Sequence, residues 1–177
     1  PVLTATCNGG THMPLEDRGV YGARPGAIVV DVTDTVMLES VLRMFQTIPG
    51  VKYSRTSRKE SYPVYPADYK FELGRRAVLR EGKDAVIVAS GIMVHEAMEA
   101  AKQLAAQGID AAVIDPVTIK PFDDALIRAY AEKTGIVVTA ENHNKIGGLT
   151  SAVQNAICGL STKFGAVAIE DEFGEVG

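Results

Sequence analysis

Short apolar runs recur along this chain, and most are followed by a longer stretch with apolar residues at helical spacing. The runs are rich in Val, Ile and Ala and too short for helices, so they predict strands buried on both faces. Strands that alternate with helices in this way predict an α/β fold with a largely parallel sheet. Asp123 and either Thr33 or Asp34 are expected to cap helices. The predicted strands cover residues 27–32 (AIVVDV), 51–54 (VKYS), 85–89 (AVIVA), 111–117 (AAVIDPV), 136–140 (IVVTA) and 166–169 (AVAI).

One segment near the middle of the chain breaks the alternation. Residues 59–75 are rich in Tyr, Lys and Pro, and Pro63 and Pro66 exclude a long helix or a central strand. This segment is predicted to be an extended linker between two units. The units are residues 1–58, with one strand-helix-strand repeat, and residues 76–177, with the remaining strands and helices.

The composition excludes several classes of function. The 177 residues carry 18 basic and 22 acidic side chains, and the resulting net charge of -4 argues against binding to nucleic acid or to an anionic membrane surface. No apolar run approaches the roughly 20 residues that span a bilayer, and residues 1–12 do not resemble a secretory signal. Cys7 and Cys158 lack metal-ligand spacing, so no metal site is predicted and a reducing cytoplasm is expected.

Two polar segments are candidates for chemistry. Gly9 and Gly10 allow a tight turn before His12, and Pro14 is expected to open a helix at its first position. A histidine on such a loop can exchange a proton or bind a hydroxyl group, although a lone histidine can equally cap or pack. The second segment, residues 53–58 (YSRTSR), ends a predicted strand, where an arginine is suited to phosphate but can also belong to a solvated turn.

These segments resemble parts of the transketolase family. Residues 9–16 (GGTHMPLE) are similar to the family loop Gly-Pro-Thr-His-Gln-Pro-x-Glu, with Gly10 in place of the usual Pro and Met13 in place of Gln. The resemblance implies a truncated parallel α/β remnant of the pyrimidine-binding domain, followed by a C-terminal α/β domain with a mainly parallel sheet. Further segments resemble landmarks of that C-terminal domain in the right order: residues 79–84 (LREGKD), 89–91 (ASG), 115–123 (DPVTIKPFD), 141–149 (ENHNKIGGL) and 171–175 (DEFGE).

The resemblance also implies roles for particular residues. His12 matches the family histidine that reaches into the active site and contacts sugar hydroxyls near the reacting carbon, so it is expected to be catalytic and substrate-binding. Arg58 matches the arginine that grips the phosphate of sugar phosphates, and Arg55 is the less favoured choice for that role. Asn8 stands where sugar transketolases often have a substrate-binding Asp, so the donor or acceptor preference is expected to differ. Glu16 is given no catalytic role, because its position at a helix start accounts for it.

Transketolases use thiamine diphosphate and Mg²⁺, and the resemblance implies both for the complete enzyme. The diphosphate domain and the glutamate that activates the cofactor are expected upstream of Pro1. This chain alone is therefore expected to bind no cofactor and to be inactive. Its expected partners are an N-terminal transketolase section, on the same or a separate polypeptide, a second copy in a homo-oligomer such as a dimer, and a sugar-phosphate substrate.

Several alternatives stay open at this point. The chain could belong to a 1-deoxyxylulose-5-phosphate synthase or to the β subunit of a 2-oxoacid dehydrogenase. It could also be a non-catalytic dimerisation module. Gly147 and Gly148 are predicted to open a helix whose free N–H groups could hold an anion. For His143, a structural or interface role is preferred over catalysis.

Overall fold

The computed structural model describes residues 12–57, 61–75 and 77–174, and within these residues the chain forms five helices and eight strands. None of these helices is both long enough and apolar enough to cross a lipid bilayer. The helices are α1 (Asp17–Gly22), α2 (Thr35–Thr47), α3 (Met93–Ala106), α4 (Asp124–Thr134) and α5 (Leu149–Ala156). The strands are β1 (Ile28–Asp31), β2 (Lys52–Arg55), β3 (Ala77–Arg80), β4 (Ala85–Ala89), β5 (Ala111–Asp115), β6 (Thr118–Lys120), β7 (Ile136–Asn144) and β8 (Lys163–Ile169).

The larger sheet has the strand order β3-β5-β4-β7-β8. Strand β4 runs parallel to β5 and β7, and β7 runs parallel to β8, whereas β3 joins β5 antiparallel at the edge. The central strand is apolar on both faces: Val86 and Val88 pack in a core with α4 and α5, and Ala85 and Ile87 pack in a core with α3. This arrangement confirms the predicted α/β fold with a mainly parallel sheet.

The smaller sheet has the order β2-β1-β6 and draws on both halves of the chain. Strands β1 and β2 are parallel, with α2 as the crossover, and Val30 packs against Met37 and Val41 of α2. Strand β6 comes from the second half and pairs antiparallel with β1, so that Thr118 lies opposite Val30. The first repeat therefore pairs with a strand that the sequence supplies some ninety residues later, between β5 and α4.

The described part of the predicted linker, residues 61–75, contains neither helix nor strand. It is nevertheless packed, because Tyr65 and Phe71 are buried in the core around α2. Asp34 anchors it: the side chain accepts a hydrogen bond from Met37 N at the start of α2 and also from Val64 N and Tyr65 N, each at 2.9 Å. Asp34 is thus the helix cap that the sequence allowed, while the domain limits 1–58, 59–75 and 76–177 stay predictions.

Candidate functional site

A buried arginine joins the two halves of the chain. The Arg18 guanidinium, fully buried, donates to Asp31 Oδ2 at the end of β1 (2.7 Å), to Ser90 Oγ after β4 (2.9 Å) and to Glu141 Oε2 in β7 (2.9 Å). Ser90 Oγ in turn donates to Asp31 Oδ2 at 2.9 Å. These four residues, the Arg18 cluster, lie where the carboxyl ends of parallel strands meet, which is the usual place for a ligand in such sheets. Here the chain fills that place with its own charged groups.

Glu141 also occupies the start of α5. Its Oε2 accepts from Leu149 N at 2.8 Å and its Oε1 accepts from Thr150 N at 2.7 Å, so the carboxylate satisfies free N–H groups of the helix. Gly148 makes this approach possible, because a Cβ at that position would lie 2.2 Å from Glu141 Oε2. The sequence analysis expected the free N–H groups of this turn to be able to hold an anion. They do bind a carboxylate, and it is the side chain of Glu141.

His143 is buried beside this cluster as a neutral side chain. Its Nδ1 lies 2.6 Å from the carbonyl oxygen of Asn144, which can only accept, so Nδ1 carries the proton. Its Nε2 then accepts from the backbone N–H of Arg18 at 3.2 Å. Burial, together with the nearby Arg18 charge, lowers the pKa of His143 from 6.5 to about 4. The ring is fully buried in this chain, and the preference for a structural or interface role stays a prediction.

The start of α1 corrects one sequence expectation. The helix begins at Asp17 and not at Pro14. In a helix opened by Pro14, the carbonyl of Pro14 would accept from Arg18 N four residues on. Instead Pro14 O accepts from Arg55 Nη2 at 3.2 Å, and Arg18 N donates to His143. The carbonyl of Pro14 and the N–H of Arg18 therefore bond residues far along the chain and not each other.

Arg55 lies at the end of β2 and is also buried, which lowers its pKa. Besides Pro14 O, it donates from Nη1 to Asn142 O at 2.6 Å, and its Nε lies 3.5 Å from Asp17 Oδ2. The same Asp17 oxygen accepts from Tyr53 OH. Arg55 thus contacts the loop before α1, the first turn of α1 and strand β7 at once.

The residues predicted to meet substrate are only partly described. Asn8 and Arg58 lie outside the described residues, so their predicted roles stay predictions. His12 is exposed and stands at the start of the described chain, two residues before the Pro14 carbonyl that Arg55 binds. Within residues 12–57, 61–75 and 77–174, no group of three or more His, Cys, Asp or Glu side chains is arranged to hold a metal ion.

A second buried acid secures the linker to the larger sheet. Asp115, at the end of β5, accepts from Thr33 Oγ1 at 2.6 Å, from Tyr65 OH at 2.7 Å and from Val117 N at 2.8 Å. Its complete burial raises its pKa from 3.8 to about 6, against the opposing effect of these hydrogen bonds. Asp115 therefore binds the β1–α2 loop and the linker to the second half of the chain.

Comparison with known proteins identifies the family. Residues 74–175 match the protein family described as "Transketolase, C-terminal domain". The chain is 41% identical over its whole length to a 6-deoxy-6-sulfo-D-fructose transketolase subunit of Clostridium sp. (strain MSTE9), covering 55% of that protein. It is 34% identical, over 99% of its length, to a putative transketolase C-terminal section of Methanocaldococcus jannaschii, covering 56% of that protein.

Solved structures agree with these matches. A structure described as a split gene transketolase in an inactive β4 tetramer superimposes with a TM-score of 0.88 at 39% identity, covering 92% of this chain and 55% of that one. Transketolase from Campylobacter jejuni shares the fold, with a TM-score of 0.76 at 21% identity over 99% of this chain and 26% of that one. The chain belongs to the transketolase C-terminal domain family. It spans about half the length of the first curated relatives that it matches.

We predict that Gly148→Ala severely destabilises the fold. The new Cβ would collide with the Glu141 carboxylate and lie 2.7 Å from His143 Nδ1, so the carboxylate must leave Arg18 and the start of α5. Because breaking a buried ion pair costs about 3–5 kcal/mol, we expect a loss of that size in the free energy of unfolding, measured by urea titration. Gly165→Ala is the matched control, since nothing lies within 4 Å of its added Cβ. Equal stability of the two variants would contradict the assignment of Glu141.

We further predict opposing contributions of His143 and Asp115 to stability as the pH falls. The pKa of His143 is lower in the folded chain, so the unfolded chain binds the proton first and stability falls between pH 6.5 and about 4. The pKa of Asp115 is higher in the folded chain, so Asp115 adds stability between about pH 6 and 3.8. Asp115→Asn should therefore steepen the loss of unfolding free energy below pH 6, and His143→Gln should flatten it. Identical pH slopes in urea titrations of both variants would contradict this assignment.

Proposed function

We propose that this chain is the C-terminal section of a thiamine-diphosphate-dependent transketolase and that it acts together with an N-terminal section. The observation that carries the proposal is the likeness to the split gene transketolase over 92% of the chain. That protein is described as an inactive β4 tetramer, which supports the proposal that the present section is inactive and self-associates when its partner is missing.

The cofactor is proposed to be held by the partner section. Among the described residues, the glycine-led start of α5 does not fit a diphosphate, because the Glu141 carboxylate already accepts from Leu149 N and Thr150 N. A second anion there would have to displace a side chain that also neutralises Arg18. Thiamine diphosphate, with Mg²⁺, would supply the carbanion chemistry of two-carbon ketol transfer. No residue of this chain is assigned to the cofactor or to the metal.

This chain is proposed to bind the substrate. In the proposal, His12 hydrogen-bonds the hydroxyl groups of donor and acceptor sugars, Arg58 binds a terminal anion and Asn8 adjusts the preference between sugars. The contact from Arg55 to Pro14 supports a shared site, because it joins the two segments concerned. Pro14 lies two residues after His12, and Arg55 lies three residues before Arg58.

The substrate class is proposed from the same chemistry. One relative is a 6-deoxy-6-sulfo-D-fructose transketolase subunit, and another, 33% identical over 93% of this chain, is an apulose-4-phosphate transketolase subunit of Phocaeicola vulgatus. Both names contain a sugar with a sulfo or phosphate group, and the planar fork of an arginine suits either oxyanion. We therefore propose ketose donors and aldose acceptors that carry a phosphate or sulfonate. These names favour transketolase over a 1-deoxyxylulose-5-phosphate synthase or a 2-oxoacid dehydrogenase.

The first functional prediction concerns reconstitution. With its N-terminal section, thiamine diphosphate and Mg²⁺, the chain should transfer a ketol unit within a panel of phosphorylated and sulfonated sugars, whereas the chain alone should give no turnover. The measurement is chromatographic detection of the chain-lengthened product. Turnover by the chain alone would refute the need for a partner. A reconstituted complex that assembles but transfers nothing across the panel would favour a non-catalytic dimerisation module.

The second functional prediction concerns His12. In the reconstituted complex, His12→Ala should lower kcat/KM by about 10²-fold or more, because a hydrogen bond to the reacting sugar is lost in the transition state. His95→Ala is the matched control, since His95 lies on α3 and stacks on the exposed Tyr62 ring at 4.2 Å. Steady-state kinetics on the best substrate pair give both values. An unchanged kcat/KM for His12→Ala would remove this residue from the active site.

A further inference from the structure

The loop that carries His12 is fastened to the C-terminal half of the chain. Leu15 O accepts from Asn144 N of β7 at 2.8 Å, and the Met13 and Leu15 side chains are buried against Ile169 at the end of β8. Neither Met13, Pro14 nor Leu15 belongs to a helix or strand. The position of this loop is therefore set by long-range contacts, and strands β7 and β8 form the surface on which it rests.

Arg55 completes this attachment. Its guanidinium donates to Pro14 O on the loop and to Asn142 O on β7, so one planar group connects the two backbones. Asp17 Oδ2, at 3.5 Å from Nε, provides the compensating charge. A guanidinium can make these contacts together because its N–H groups point outward from three nitrogens in a fixed fork, whereas a lysine donates all its hydrogen bonds from one nitrogen.

Stability alone does not explain why a charged side chain is buried at position 55. Replacing buried ion pairs by apolar side chains is often neutral or stabilising, because removing the charges from water costs several kcal/mol. The Arg55 side chain is only 3% exposed, and two of its contacts go to main-chain carbonyls that no apolar residue could satisfy. The geometry favours a group that fixes where the loop backbone lies.

We propose that Arg55 is a positioning residue for His12, acting through Pro14, and that strands β7 and β8 thereby contribute to the reaction without touching the substrate. This inference rests on the proposed function of His12. A reactive group must be held to within a fraction of an ångström, and a displacement of about 1 Å can cost about 10²-fold in rate. Loosening the loop should therefore lower activity while the rest of the fold persists.

The test uses Arg55→Lys in the chain reconstituted with its N-terminal section. Lysine keeps the charge but has one nitrogen in place of the two, Nη1 and Nη2, that bond the separate carbonyls, so kcat/KM should fall by about 10-fold to 10²-fold, with faster amide hydrogen exchange over residues 13–16. In a His12→Ala background, Arg55→Lys should cause little further loss, because the group it positions is already missing. Arg55→Gln, which removes the buried charge and keeps an amide donor, serves if the lysine variant does not fold.

Tyr65→Phe is the matched control. It deletes one buried hydrogen bond to Asp115 in the linker, so it should lower the urea midpoint while leaving kcat/KM and loop exchange unchanged. Arg55→Lys with unchanged kcat/KM in an active complex, unchanged exchange over residues 13–16, or a full additional loss in the His12→Ala background would each overturn the proposal. If the wild-type complex transfers no ketol unit, the proposed function fails, and the exchange comparison alone decides whether Arg55 fixes the loop.

Discussion

The structure depends on the buried contact between Arg18 and the carboxylates of Asp31 and Glu141. Each of these acids ends or interrupts an apolar strand, where burying a carboxylate is costly unless it is paired. Arg18 comes from a six-residue helix that is too short to be stable by itself. The arginine therefore compensates the charge of the two buried acids, and the acids in turn hold α1 against the edge of the sheet.

This contact also fills the edge of the sheet where ligands commonly bind. In open parallel sheets, the carboxyl ends of the strands form the usual binding crevice. Here Ser90 and Glu141 occupy that edge with bonds to Arg18, and Asp115 occupies it with bonds to Thr33 and Tyr65. In the loop that begins at His12, Met13 and Leu15 are buried, whereas His12 and Glu16 are exposed. When the chain's own side chains fill the crevice, the sheet can hold a neighbouring loop in position without binding a ligand in the crevice itself.

Local pattern was enough to predict β4, β5 and parts of β7 and β8, and to narrow the cap of α2 to Thr33 or Asp34, because each of these features follows from its own few residues. It was not enough for β6, whose three residues pair with β1 through a contact some ninety residues away in sequence. Arg18 was missed for a related reason: within α1 it is an ordinary helix residue, and its role depends on acids in β1 and β7. The usable signal was the other side of the pair, a carboxylate at the end of each of two apolar runs, at Asp31 and Glu141, which together require a buried cation.

These contacts make the two predicted units dependent on each other. Separating them at residues 59–75 would strip β6 from the smaller sheet, remove Arg18 from Glu141 and remove Thr33 from Asp115. Breaking even one buried pair costs about 3–5 kcal/mol, which is comparable to the whole stability of many domains. The linker composition thus marks a change in local structure, across which the two predicted units stay in contact. The chain spans about half the length of its relatives. Within it, the C-terminal sheet contacts the His12 loop directly, through the hydrogen bond from Asn144 N to Leu15 O and through Arg55.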